Sequence, residues 1–410
     1  MNANSLNFIL SEHCSVTDKK SDSFVGVKIS QNDFSVHFPI GYQLPDNDDD
    51  LMKDIKNLIN ILTIFNDKNE GTISKGNFNC TTDSSFPFQS YINVINYYLR
   101  HNANYYNEIV PVYKIAKKGK IDFKRTIQKV NPVLNNKNIV YLDMVVRNNT
   151  QNFDNLITQI NKYCVWESFN KIGWLFSISS PVKPDISFDK NMFIMALKIK
   201  LNSTNKDVDK QLILSMIAMI EHIANSTNDI EMSFGTNKFE YVWEGLIDTI
   251  FGIKNKSKYF PMGIWKDKNN NELCSSVLKP DTIMFYGNKY YVIDAKFYKY
   301  GFEPNQGINS LPATTDINKQ ITYAQNVKSK HPNSEVFNAF LMPYNSHNNI
   351  FNANEPYFLV TEAKANWISN PQTYEVIKGI VVDVRYLLKN YQESYNKNKK
   401  MLSVEIEKRL

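Results

Sequence analysis

One stretch constrains this chain more than any other: Val277-Leu-Lys-Pro-Asp-Thr-Ile-Met-Phe-Tyr286, the pair Gly287-Asn288, then Lys289-Tyr-Tyr-Val-Ile-Asp-Ala-Lys-Phe297. Two runs rich in aromatic and β-branched residues flank a two-residue turn, the signature of a β-hairpin. With that turn at the centre, facing residues have numbers that sum to 575. Asp281 then lies opposite Asp294, and Lys279 opposite Lys296. Opposed residues share a face, as do residues two apart on one strand. Asp281, Asp294 and Lys296 are therefore expected on one face of one sheet.

Two carboxylates opposed on a half-buried sheet repel each other. A divalent cation between them converts that repulsion into a binding site, and Mg²⁺ takes one or two carboxylates while keeping waters and substrate phosphate contacts. A lysine on the same face can position water or stabilise charge developing on a phosphate. The expected chemistry is metal-dependent phosphodiester hydrolysis, with Asp281 and Asp294 as ligands of Mg²⁺ (Mn²⁺ as substitute). Either motif alone is common: Pro-Asp recurs at Pro45-Asp46 and Pro184-Asp185, and Asp-x-Lys at Asp18, Asp54 and Asp122. Their pairing across one hairpin is what carries information.

Flanking segments extend the pattern. Lys238–Phe251 has helical spacing, with Phe239, Val242, Trp243, Leu246, Ile247 and Ile250 on its apolar side and Gly252 as its C-cap. Glu240, Glu244 and Asp248 follow one edge. Glu240 and Asp248 are read as a solvated stripe, and Glu244, beside Trp243, as a carboxylate bordering the buried side. A second helix is expected over Asp316–Lys328, capped by Thr315. Its Ile317, Ile321 and Ala324 face inward, and Gln320 beside them either completes a polar site or is a structural hydrogen-bonder. Val336–Met342 follows as a strand. Tyr298-Lys299-Tyr300 and the loop through Pro312 either line a DNA groove or form an ordinary surface loop.

Further upstream, alternation predicts strands over 24–45 and within Val110–Val146. Helical spacing predicts helices from about Asp49, over Phe88–Arg100, from Asp154, and near Asp207–Ala224, the last almost apolar all round and hence expected to be buried. The organisation read from this is an α+β unit over 1–150, a helical region over 151–235, and an α/β domain over 236–410. No internal repeat is present.

Composition narrows the function classes. The 410 residues are 42% hydrophobic and 21% charged with 14 Gly and 15 Pro, which excludes collagen-like, low-complexity and wholly disordered chains. The densest apolar run, Leu212 to Ile220, is far short of the roughly 20 residues a membrane span needs. With no signal-peptide pattern and four scattered cysteines, a cytoplasmic protein without a membrane partner is expected. The net charge of +6 resides mostly in residues 236–410, where 22 Lys and Arg face 17 Asp and Glu. That balance permits a polyanionic partner. The six histidines never approach metal-ligand spacing, and there is no Gly-x-Ser-x-Gly elbow. The nearest approach to a phosphate-binding loop, Gly71-Thr-Ile-Ser-Lys-Gly76, continues as Asn77-Phe78, so no nucleotide is expected on this chain.

Helix with Glu, strand with Pro-Asp, strand with Asp-x-Lys, then helix with Gln-x-x-Tyr and a strand resembles the PD-(D/E)xK nuclease pattern. Trp243-Glu244, Leu278–Ile283, Ile293–Tyr298 and Asp316–Gln320 resemble the LlaJI family of restriction endonucleases, related to the McrC nuclease subunit. Phe38–Tyr42, Gly119–Thr126 and Tyr163–Ser168 are similar too, although Asp122-Phe123 stands where Asn-Trp is expected. The resemblance implies a PD-(D/E)xK mixed sheet flanked by helices in the C-terminal domain, and a cytoplasmic Mg²⁺-dependent restriction endonuclease acting on double-stranded DNA. It further implies a McrB-like GTPase subunit as partner. In that frame Asp281, Asp294 and Glu244 hold metal, Lys296 activates water, and Gln320 orients the site. Two other readings stay open: an autonomous type II enzyme recognising DNA through its N-terminal part, and a non-catalytic DNA-binding or scaffold subunit.

Overall fold

The protein is described by a computed structural model over residues 10–18, 23–30, 33–72, 87–135, 138–152, 155–176, 180–225, 232–297, 311–392 and 395–410. It divides into two compact units, residues 1–83 with 231–410, and residues 84–230. This division cuts across the expected boundaries at 150 and 235. The first 83 residues belong with the C-terminal part, and the helices of the middle share a unit with strands that precede them.

In the first unit, β1 (Cys14–Val16), β2 (Val25–Ile29) and β3 (Phe34–Phe38) lead into helix α1 (Asp48–Thr72). The chain returns as β4 (Met232–Thr236) and helix α2 (Phe239–Phe251), and these strands form one sheet in the order β1-β3-β2-β4. The hairpin β5 (Met262–Lys266) and β6 (Glu272–Val277) follows. Then come β7 (Thr282–Tyr286), β8 (Lys289–Ala295), helix α3 (Thr314–Lys330), β9 (Val336–Tyr344), β10 (Tyr357–Lys364) and β11 (Val376–Asp383), ending in helices α4 (Val384–Asn390) and α5 (Tyr395–Glu407). Strands β7 to β11 make a five-stranded mixed sheet in the order β7-β8-β9-β11-β10. Its central pairs, β8 with β9 and β9 with β11, are parallel, and its outer pairs are antiparallel.

The β7–β8 hairpin has the expected register. Thr282 faces Ile293, Ile283 faces Val292, and Tyr286 faces Lys289. Gly287 and Asn288 both have positive φ, +57° and +64°, the backbone a two-residue turn of right-handed twist requires. The ladder ends at Thr282. Lys279 therefore leaves the pairing expected with Lys296, because Leu278 N–H instead donates to Pro261 O at 2.9 Å and ties the chain to the preceding hairpin.

Alternation sorts the hairpin side chains between two layers. Ile283, Tyr290 and Val292 pack under Tyr323, Ala324 and Val327 of α3, with Tyr259 and Val336. On the opposite face the Tyr291 hydroxyl donates to Glu407 of α5. Helix α2 is apolar along most of its length, and Phe239 and Trp243 meet the Phe297 ring at 5.4 and 5.9 Å. Its Gly245 permits close approach to α1, since a Cβ there would stand 2.5 Å from the Phe65 ring. The expected α3 cap is corrected. The helix begins at Thr314, so Thr315 lies inside the first turn, and Asp316 Oδ2 accepts the Ala313 N–H at 3.3 Å.

The 84–230 unit contains helices Phe88–Arg100, Leu156–Ile172, Lys190–Ser203 and Asp207–Asn225, packed on one another, and a sheet of Glu108–Ala116, Lys120–Ile121 and Met144–Asn152. Two expectations change here. The strand region is interrupted by helix Phe123–Lys129, nucleated where Asp122 Oδ1 accepts the Arg125 N–H at 3.0 Å. Helix Asp207–Asn225 buries Leu212, Ile213, Met216 and Ile220 but leaves Val208 and Leu214 exposed, so it is half covered rather than enclosed.

A buried ion pair is one tie between the N-terminal segment and the C-terminal part of the first unit. Asp54 of α1 is wholly inaccessible and accepts from Arg385 Nε of α4 at 2.8 Å, with Lys389 Nζ 3.3 Å from its other oxygen. Removing one member of such a pair strands the other in low dielectric. Because Arg385 and Lys389 still reach water, Asp54→Ala should cost about 3 kcal/mol, at the low end for buried pairs. A urea titration is expected to register this as an earlier midpoint; an unchanged midpoint would mean the pair does not hold α1.

Candidate active site

The site lies where the hairpin face emerges from beneath α3. Val292 is covered by that helix, and Asp294, two residues on, continues the same face at the end of β8. Asp281 sits one residue before β7, opposite Asp294, and its Oδ2 accepts the Ala295 N–H at 3.1 Å. The two carboxyl groups are close enough to hydrogen-bond one another. Lys296 Nζ lies 2.8 Å from Asp294 Oδ2 and 3.2 Å from Asp316 Oδ1, forming a bridge between the hairpin and the first turn of α3.

Burial governs the electrostatics. It pushes the Asp281 carboxyl from its ordinary 3.8 up to about 8, reinforced by the negative charges of Asp294 and Glu244. Glu244 is raised from 4.5 to about 7, again by burial first and then by Asp294. Burial alone would lower the Lys296 ammonium, yet Asp294 and Asp316 together hold it above its ordinary value. Tyr323, beneath the site on α3, is raised by burial and by both aspartates. The result is an acidic cluster short of positive charge, with Lys296 as its internal counter-ion.

The structure therefore gathers Asp281, Asp294 and Lys296, with Glu244 near enough to feel Asp294. Gln320 is placed differently. Its side chain is buried beneath the sheet, and its Nε2 donates to Val292 O at 2.9 Å and Ala339 O at 3.3 Å. It thus fixes the backbone two residues before Asp294. Asn338 closes this network by donating to Gln320 O at 3.2 Å and to Tyr374 O at 2.6 Å.

Two residues enter that were not singled out. Asp316 shares a helix face with Gln320, four residues away, but in sequence it reads as an N-terminal helix residue. Lys256 donates to the Asp281 carbonyl and pairs with Asp248 at 2.8 Å. Asp248 is thus no simple solvated stripe, since Thr282 Oγ1 also donates to it at 3.3 Å. Tyr298-Lys299-Tyr300 lies outside the described residues.

The donor set suits a hard cation. Among the described residues no three His, Cys, Asp or Glu side chains form a ready ligand cluster. Asp281 and Asp294 would supply the one or two carboxylates that Mg²⁺ takes when it keeps water and phosphate contacts. The proximity of two buried carboxyl groups is what fits a cation, because a positive charge there would favour the ionised form of Asp281.

An acidic pair with an adjoining lysine at the edge of a mixed sheet defines a class of site suited to phosphodiester chemistry. Residues 24–369 match the family described as LlaJI restriction endonuclease, and the chain belongs to that family. It is also similar to the Type II restriction enzyme BsuMI component YdjA of Bacillus subtilis (strain 168), with 25% identity over 268 residues. That alignment covers 60% of this chain and 56% of the relative, so the chain spans little more than half of that protein's length. A solved structure described as a refined half-complex from the tetradecameric assembly of Thermococcus gammatolerans McrB AAA+ hexamers with bound McrC aligns over 93% of this chain and 83% of that chain. Identity there is 13% and the TM-score 0.37, a likeness too slight to carry fold or function across. Among the described residues no helix is long and apolar enough to cross a membrane.

The raised carboxyl groups set a direction for stability. Folded Asp281 keeps its proton to about 8 and Glu244 to about 7, while the unfolded groups lose theirs near 3.8 and 4.5. The folded state then binds more protons across that window, so in chelator-containing buffer stability should fall as pH rises from about 4 to 8. Thermal midpoints collected through this range should decline, and Asp281→Asn should flatten the decline. A variant as steep as the parent would exclude Asp281 as the titrating group.

Proposed function

We propose that this chain is the nuclease subunit of a restriction system, hydrolysing DNA phosphodiesters with Mg²⁺ or Mn²⁺ through a PD-(D/E)xK site. The observation that carries this reading is the opposition of Asp281 and Asp294 on one buried face with Lys296 against them. Membership of a restriction endonuclease family supports it independently.

In this reading Asp281 and Asp294 would hold the cation, with Glu244 as a further contact. When bound, the cation supplies positive charge to the scissile phosphate and to a water beside it. Lys296, anchored by both Asp294 and Asp316, presents its ammonium to the attacking water or to a non-bridging phosphate oxygen, where negative charge grows in the transition state. Gln320 is a positioning residue: by holding Val292 O and Ala339 O it fixes the strand that carries Asp294.

A McrB-like GTPase as partner, with double-stranded DNA as substrate, completes the proposal. The relative's description as a component of a restriction enzyme favours a multi-chain system over the autonomous type II reading. The sequence offers no phosphate-binding loop for nucleotide chemistry of its own. Docking on that partner falls most naturally to the 84–230 unit, because residues 1–83 are tied into the C-terminal unit. A deletion of residues 1–150 would therefore remove Asp54 and damage the nuclease unit itself.

Asp294→Asn keeps the side-chain shape and removes one ligand charge, so plasmid cleavage in Mg²⁺ should fall by roughly 10³-fold or more while thermal stability is retained. Lys296→Ala should lose about 10²- to 10³-fold in the cleavage step with metal binding preserved. Wild-type cleavage by Asp294→Asn would remove that residue from the mechanism. Assays with and without the co-expressed GTPase and GTP address the partner. Site-specific cutting by the single chain with Mg²⁺ alone would favour the autonomous enzyme.

A further inference from the structure

Immediately before the acidic pair the chain forms a hairpin that, among the described residues, no other element covers. Every residue of β5 is exposed, and so are all of β6 except Val277. The strands pair with Ile264 opposite Cys274, Trp265 opposite Leu273, and Lys266 opposite Glu272. Trp265 and Leu273 are thus cross-strand neighbours on one face, 70% and 60% exposed. The tip is fixed from within. Asp267 Oδ1 accepts the Asn269 and Asn271 N–H groups, each at 2.8 Å, and its Oδ2 accepts Asn271 Nδ2 at 2.9 Å. The root is held where Leu278 N–H meets Pro261 O, only three residues before Asp281.

Charge on this segment is one-sided. Residues 254–279 contain six lysines and two acids, Asp267 and Glu272, a net of +4. Both acids have local partners: Asp267 is taken up by the tip, and Glu272 by Lys266 at 3.3 Å. Lys268 at the tip and Lys254, Lys258 and Lys279 at the root add positive charge that these acids do not offset.

We propose that this hairpin is a DNA-contacting ribbon that lies in the major groove beside the Asp281–Asp294 site, with Trp265 and Leu273 against base edges and Lys268 on the phosphate backbone. The inference rests on the nuclease reading for its substrate. A two-stranded ribbon, with strands about 4.8 Å apart, is of a width the roughly 12 Å major groove admits. Six residues of β6 extend about 20 Å from the root, enough to follow the groove for about half a helical turn. Exposed apolar side chains suit thymine methyl groups, and the lysines suit phosphates. A protein partner fits less well, because stable interfaces engage roughly 20–30 residues a side, more than the hairpin between Met262 and Val277 contains.

The test uses the full-length chain carrying Asp294→Asn, so that DNA stays intact in Mg²⁺, and a fluorescent mixed-sequence duplex followed by anisotropy. Trp265→Ser with Leu273→Ser should weaken binding at least about tenfold without moving the thermal midpoint, since neither side chain is in the core. Lys268→Gln should lower the slope of log affinity against log salt by about 1. Unchanged affinity and slope in both variants would overturn the ribbon, as would a parent that fails to bind the duplex. Unchanged DNA binding with altered self-association or partner capture would also overturn it, assigning the hairpin to a protein contact. Cleavage by the chain with Asp294 restored is read separately. Cutting without a hairpin effect sinks only the ribbon, and a hairpin effect without cutting sinks only the nuclease reading.

Discussion

The close approach of two buried carboxyl groups, Asp281 and Asp294, is the constraint that the surroundings of the site answer. A sheet face that buries Ile283 and Val292 beneath α3 continues into two facing carboxyl groups, and burial holds Asp281 protonated far above its ordinary range. Such a position is costly to keep empty of positive charge. Lys296 offsets part of the cost, and it can do so because Asp316, at the start of α3, shares the ammonium. The hydrogen bonds of Gln320 to the strands under the site set the backbone from which Asp294 projects. Helix, hairpin and counter-ion thus act as one unit. Moving any of them shifts where the negative charge sits.

A second buried charge ties together the two sequence segments of that unit. Asp54 is inaccessible to solvent, and its partners Arg385 and Lys389 lie more than three hundred residues away. Asn345 Nδ2 donates to Gln43 Oε1 at 2.7 Å, a further tie between residues 302 positions apart in sequence. The 84–230 unit is in this sense an insertion in sequence between two parts of one core.

Much of the site was legible from local rules. A Gly-Asn pair between two β-rich runs specifies a tight turn, and a period of two then decides which side chains share a face. The pairs Thr282–Ile293 through Tyr286–Lys289 follow from those rules alone. Helix α2 was equally legible from its apolar spacing, as was Glu244 beside Trp243. The extent of the ladder was not. Whether Lys279 pairs or turns away depends on Pro261, which belongs to a different hairpin.

The hairpin register, the two facing aspartates and the helices on either side can be read from the residues alone, because turn chemistry and apolar periodicity act over a few residues. That Asp316 shares Lys296, that Gln320 reaches backbone carbonyls rather than the acidic pair, and that residues 1–83 complete the C-terminal unit emerge once the chain is folded. Those outcomes depend on contacts between segments far apart in the chain. Side-chain reach and buried charge choose such contacts, and neither leaves a periodic trace in sequence.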